Sequence, residues 1–122
     1  MICIIGLPNA GKTTYSTQYD NVLHTDALKP NTRWRDIEKA IDDSLVIDGV
    51  FFSRRDRERL LSLADGCKKT CIWLDTPVEV CIKRENRGRH HSLVEVLHMR
   101  FEPPTLDEGW DEIIRIKYNA EE

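Results

Sequence analysis

Apolar residues fall along this chain in two alternating rhythms, short continuous runs and helix-spaced sets. Ile2-Cys3-Ile4-Ile5 is an unbroken apolar run stopped by Gly6, the pattern of a strand buried on both faces. Residues 12–19 then suit a helix, and Asn21 to Thr25 reads as a second, weaker strand. Trp34, Ile37 and Ile41 recur at helical spacing after Pro30, with Thr32 as the expected N-cap. Leu45-Val46-Ile47 predicts a third strand, ending at Asp48-Gly49. Leu60, Leu61 and Ala64 lay an apolar stripe on a helix from about Ser53 to Asp65, with Gly66 as its stop. Cys71 to Leu74 predicts a fourth strand, and Pro77 opens a helix carrying Val80, Cys81 and Arg84. Leu93, Val96 and Leu97 mark another helix, which Pro103-Pro104 cannot continue. Glu112 to Lys117 predicts a last strand around Ile113, Ile114 and Ile116.

Five strands alternating with helices imply an α/β fold, a five-stranded parallel sheet with helices on both faces. Ligands in such sheets sit beyond the carboxyl ends of the strands. Gly6, Asp26, Asp48 and Asp75 all lie at such ends, so chemistry is expected there.

Length and charge narrow the reading. At 122 residues the chain is expected to form one domain, 1–122. The longest apolar run, Met1 to Ile5, is far short of the ~20 residues that cross a bilayer, and no basic leader precedes it. A cytoplasmic protein without a membrane partner is expected, and no obligate protein partner is implied. A net charge of −3 with a pI near 5.8 argues against a broad nucleic-acid footprint. Charge is uneven, however. Residues 83–91 hold Lys83, Arg84, Arg87 and Arg89 against Glu85, whereas 102–122 is strongly acidic. Cys3, Cys67, Cys71 and Cys81 are read as reduced small hydrophobes, because two sit inside strand-like runs and no second ligand pair accompanies them.

Gly6-Leu7-Pro8-Asn9-Ala10-Gly11-Lys12-Thr13 matches G-x-x-x-x-G-K-[ST] completely, after a buried strand and before a helix. Gly6 and Gly11 let the backbone turn so that N–H groups converge on phosphate oxygens, and the helix start adds positive potential. Lys12 is expected to reach the β- and γ-phosphates and Thr13 to ligate Mg²⁺. The expected nucleotide contacts are thus Pro8, Asn9, Ala10, Gly11, Lys12, Thr13 and Thr14, for ATP or another nucleoside triphosphate.

Absent motifs decide what the nucleotide is for. The D-x-x-G and N-K-x-D of a GTPase are missing, and Asp48 is followed by Gly49 rather than the glutamate of a motor ATPase. Transfer to a bound acceptor remains, which needs a carboxylate facing the γ-phosphate and cations over it. Asp26 is the candidate base, with an exposed turn aspartate as the bland alternative. Asp48 is a candidate for holding Mg²⁺ through water, or else a loop or cap residue. Asp75 reads better as a turn or cap residue. Arg84, Arg87 and Arg89 suit a phosphate-covering lid, against the alternative of a solvated charge run. The arginines of 54–59 read as a solvated helix start, and His90-His91 is not spaced for zinc.

These motifs resemble the P-loop kinases of the polynucleotide 5′-hydroxyl kinase group, over nearly the whole chain. His24-Thr25-Asp26-Ala27-Leu28-Lys29 matches the segment in which that family places an aspartate and, three residues on, an arginine. The resemblance implies a P-loop kinase fold, Asp26 as general base and Lys29 near an acceptor phosphate. It also implies a lid built on Arg84 and either Arg87 or Arg89. Pro104 to Trp110 resembles the family's P-x-x-x-E-G-F segment, a scaffold feature. Lys29 departs from the family arginine, and Asp48-Gly49-Val50 departs from its aspartate-x-asparagine. The expected activity is phosphoryl transfer to a hydroxyl, first of all the 5′-hydroxyl end of DNA or RNA. The alternatives are a nucleoside, hydroxymethylated base or other small alcohol as acceptor, and a nucleotide-binding regulatory module without turnover.

Overall fold

The computed structural model describes residues 1–85 and 91–118. Strands β1 (Ile2–Ile5), β2 (Val22–His24), β3 (Val46–Gly49), β4 (Thr70–Asp75) and β5 (Glu112–Lys117) alternate with helices. The helices are α1 (Lys12–Ser16), α2 (Arg33–Ala40), α3 (Arg54–Leu63), α4 (Val78–Lys83) and α5 (His91–Arg100). Short 3₁₀ turns occupy Thr25–Ala27 and Leu106–Glu108. The sheet is wholly parallel in the order β2-β3-β1-β4-β5, with Ile4 in register with both Asp48 and Ile72.

The unbroken apolar runs are explained by burial on both faces. On one face Cys3, Ile5, Ile47 and Cys71 pack with Ile37 of α2, Leu60 of α3 and Ala64 at the C-cap of α3. On the other, Ile4, Val46, Ile72 and Leu74 pack with Cys81 of α4 and Val94 of α5. The cysteines are free thiols. Burial pushes the Cys71 thiol up to about 12 and raises Cys3 as well, so both remain neutral and serve as packing.

Several elements end earlier than apolar spacing predicts. The first helix stops at Ser16 rather than 19, because the Ser16 and Thr17 hydroxyls donate to the Thr13 and Thr14 carbonyls. β2 closes at His24, where the Thr25 hydroxyl donates to the Asp48 carbonyl and turns the chain into the 3₁₀ segment. Thr32 stands at the N-cap of α2, but its hydroxyl donates to the Asp36 carboxylate instead of accepting a backbone N–H. Ser53, in contrast, caps α3 by accepting the Asp56 amide at 3.1 Å.

The arginine run of 54–59 does open α3, with Arg55 and Arg59 exposed, but one member departs from a solvated helix start. Arg57 is completely buried. Its Nε and Nη2 donate to the two oxygens of Glu108 at 2.8 and 2.9 Å, and Nη1 donates to the Phe51 carbonyl at 2.8 Å. Glu108 also accepts from Trp110 Nε1 and the Thr105 amide. Arg59 lies over the Trp34 ring at 4.2 Å, and Arg54 pairs with Asp107. Asp75 is neither a turn nor a cap residue. It ends β4 and accepts from Arg115 of β5 at 2.9 Å.

Candidate active site

The loop between β1 and α1 folds back over the carboxyl end of the sheet. Gly11 has φ +106°, a left-handed conformation that favours glycine, and Asn9 adopts φ +68°. Gly6 is pressed so closely against the Leu74 carbonyl and Ala10 that a side chain there would have to displace backbone. The loop is tied to its surroundings on two sides. Thr76 Oγ1 donates to the Ala10 carbonyl at 2.8 Å. Asn9 Nδ2 donates to the Cys81 carbonyl and to Glu85 Oε2, while Arg84 Nη1 donates back to the Asn9 carbonyl at 3.2 Å.

A cavity of about 550 Å³ opens over this loop. Residues 8–14 line it, together with Asp26, Thr76, Arg84, Lys117 and Tyr118. The predicted nucleotide contacts Pro8, Asn9, Ala10, Gly11, Lys12, Thr13 and Thr14 are therefore all brought to one surface. Lys12 is buried, with Nζ donating to the Gly6 and Leu7 carbonyls at 2.9 and 2.8 Å. Its charge is thus held inside the loop, where a polyanion is the matching ligand. α1 has five residues, so the buried Lys12 supplies more of the positive potential than a helix dipole does.

The other predicted residues are placed unequally. Asp26 is exposed in the 3₁₀ turn after β2 and reaches the cavity. Arg84 lines the cavity and sits 5.6 Å from the Tyr118 ring. Arg87 and Arg89 lie outside the described residues. Asp48 is buried at the end of β3, where its Oδ2 is 2.5 Å from His24 Nδ1, and it is not among the cavity-lining residues. Thr13 is, and of the two metal candidates it is the one that faces the cavity. The described residues contain no cluster of three metal-ligating side chains.

A second cavity of about 160 Å³ adjoins the first at Asp26, which lines both. Arg33 and Trp34 of α2, Phe51 and Phe52 of the β3–α3 loop, and Asp56 of α3 contribute to its wall. Lys29 is exposed and lines neither cavity. Arg33, one turn into the chain beyond it, is the basic residue of this pocket. Sequence reading missed Arg33, because one arginine at a helix start carries no pattern. Its Nε is shielded from solvent and has no hydrogen-bond partner among the described residues, a state that costs about 1–3 kcal/mol. Phe51 was missed too. It adopts φ +39°, which costs a bulky residue about 1–2 kcal/mol, and its carbonyl is the one held by Arg57. Its ring lies against Gly49, where any side chain would collide with it.

No family model matches the chain, and no curated protein matches it. Solved structures do. A sugar kinase from Janibacter sp. HTCC2649, in an unliganded crystal structure, superposes with a TM-score of 0.70 at 20% identity. That match covers 95% of this chain and 83% of the other. A gluconokinase from Sinorhizobium meliloti 1021 gives a TM-score of 0.62 at 18% identity, over 95% and 81% of the two chains. At such identities the likeness is one of architecture. The chain has the α/β P-loop kinase fold.

Proposed function

We propose that this chain transfers the γ-phosphoryl group of a nucleoside triphosphate, ATP being the expected one, to a hydroxyl of a small molecule. One observation carries the reading: Asp26 lines both the cavity over the phosphate loop and the smaller pocket beside it. A carboxylate at that junction is in place to orient the acceptor hydroxyl and take its proton. The acceptor oxygen forms its bond to the γ-phosphorus as the bond from phosphorus to the β–γ bridging oxygen breaks. The proton leaves the hydroxyl for Asp26, and the nucleoside diphosphate departs. Lys12 and the loop amides stabilise charge on the phosphate oxygens, and Arg84 adds a cation from α4. Thr13 would hold Mg²⁺, which would neutralise phosphate charge there, whereas Asp48, turned to His24 and off the cavity, is the weaker candidate for a water-mediated contact.

A small acceptor is better supported than a nucleic-acid end. The neighbouring folds belong to a sugar kinase and a gluconokinase. The acceptor pocket has room for about one sugar or one base. Lys29, which the polynucleotide reading needs beside an acceptor phosphate, lines neither cavity. The test is γ-labelled ATP offered with glucose, gluconate, thymidine and a 5′-hydroxyl oligonucleotide in parallel. Label on a small acceptor is expected. Label on the oligonucleotide alone restores the end-kinase reading, and label on water alone removes acceptor transfer.

A further inference from the structure

The acceptor pocket has a composition of its own, and the inference drawn from it rests on the kinase reading above. Three aromatic side chains, Trp34, Phe51 and Phe52, share its walls with Ile37 and Val50. Its polar members are Thr25, Asp26, Arg33 and Asp56, of which Thr25 already donates its hydroxyl to the Asp48 carbonyl. An open-chain polyol needs a partner for nearly every hydroxyl, because each one desolvated without a partner weakens binding. A ring that presents a flat apolar face loses little water against aromatic walls and gains contact area. Charge narrows the ligand further. Asp26 and Asp56 set two carboxylates on the pocket against the single guanidinium of Arg33. An anionic substituent entering there meets an excess of negative charge at short range. Arg33 is the one basic residue among the described residues lining the pocket, and with its charge outweighed by the two carboxylates a neutral oxygen is the group its guanidinium is suited to receive.

We infer that the acceptor is a neutral, ring-shaped alcohol, gripped between aromatic walls and recognised through a carbonyl, ring or hydroxyl oxygen by Arg33. The backbone of Phe51 is part of the device. Arg57, clamped bidentately by Glu108, donates to the Phe51 carbonyl and holds this strained residue so that its ring forms a wall. Arg57 and Glu108 are therefore positioning residues, and Arg33 and Phe51 are those that select the acceptor. A sugar ring and a nucleoside share the required chemistry.

Equilibrium binding to the full chain tests this without relying on turnover. The ligands are glucose, thymidine, gluconate and thymidine 3′-phosphate, titrated calorimetrically in the presence of a non-hydrolysable ATP analogue and again without it. Glucose or thymidine should bind at least about tenfold more tightly than gluconate, and thymidine at least about tenfold more tightly than its 3′-phosphate, a difference of about 1.4 kcal/mol each. Which of the two neutral rings binds identifies the source. Arg33→Met should weaken binding of the neutral ring and leave anionic ligands at least as strongly disfavoured, because the two carboxylates then stand uncompensated. It should do so without lowering Tm, since the Arg33 Nε makes no hydrogen bond to lose. Phe51→Leu should narrow the gap between ring and open-chain ligands. Tighter binding of gluconate or of thymidine 3′-phosphate overturns the inference, as does an Arg33→Met protein that binds the neutral ring with unchanged affinity. Neutral-ring binding with no labelled product under any condition would instead leave the pocket assignment standing and remove the kinase reading.

Discussion

Glu108 shows how a single residue joins stability to the site. Burial alone would raise its carboxyl. Hydrogen bonds from Arg57, Trp110 and the Thr105 amide outweigh burial and hold it below its ordinary 4.5. A carboxyl lowered in the folded state stabilises fully above 4.5, and that contribution fades as pH falls through the lower folded value. Glu108→Gln leaves the buried Arg57 charge unmatched and should cost about 3–5 kcal/mol, a large part of a domain's ~5–15 kcal/mol. Thermal melts at pH 7 check the loss, and the variant's Tm should fall less steeply below pH 4.5 than that of the parent. The double change Arg57→Met, Glu108→Leu should recover most of the stability, because a buried pair is replaceable by packing. It should still raise acceptor KM with little effect on ATP KM, since the Phe51 carbonyl has lost its donor. Recovery of both stability and acceptor KM would make the pair scaffold alone. Lys12→Ala tests the phosphate loop in the same way. Turnover should vanish while circular dichroism shows the fold retained, because the Lys12 bonds to the Gly6 and Leu7 carbonyls lie within its own loop rather than between elements of the sheet.

At the scale of elements, the phosphate loop and α4 form one unit. Asn9 binds the Cys81 carbonyl and Glu85, and Arg84 returns a bond to the Asn9 carbonyl. Asn9→Ala removes the first two bonds, so it should raise ATP KM several-fold with little change in acceptor KM. Steady-state kinetics varied in each substrate decide this, and an effect confined to the acceptor would disconnect the brace from the nucleotide. The elements themselves were mostly legible. β1, β3 and β4 announce themselves as continuous apolar runs, and β5 has the predicted bounds, Glu112 to Lys117. Helix ends were less legible, because hydroxyl side chains such as Ser16 and Thr17 stop α1 through bonds that apolar spacing does not encode. Arg57 was misread for a related reason. A run of charged residues looks solvated until the chain brings Glu108, 51 positions later, into contact with it.

For the whole molecule, the phosphate loop was legible because its chemistry is local in sequence. The acceptor pocket was not, because Asp26, Arg33, Phe51 and Asp56 meet only once β2 and β3 are paired and α2 and α3 lie on one face. With a net charge of −3 and a neutral acceptor, acceptor KM should be nearly flat between low and moderate salt. A polynucleotide acceptor held through Z phosphates would instead weaken with a log–log slope of about −0.7Z. The central claim is that Asp26 joins the two cavities as the base for the acceptor hydroxyl. Its most direct test is Asp26→Asn, measured for kcat on the best acceptor and for ATP affinity by titration. A kcat reduced by about 10²–10⁴ with ATP affinity unchanged is the expected result. A collapse of ATP affinity would move Asp26 to the metal site, and an undiminished kcat would contradict the claim outright.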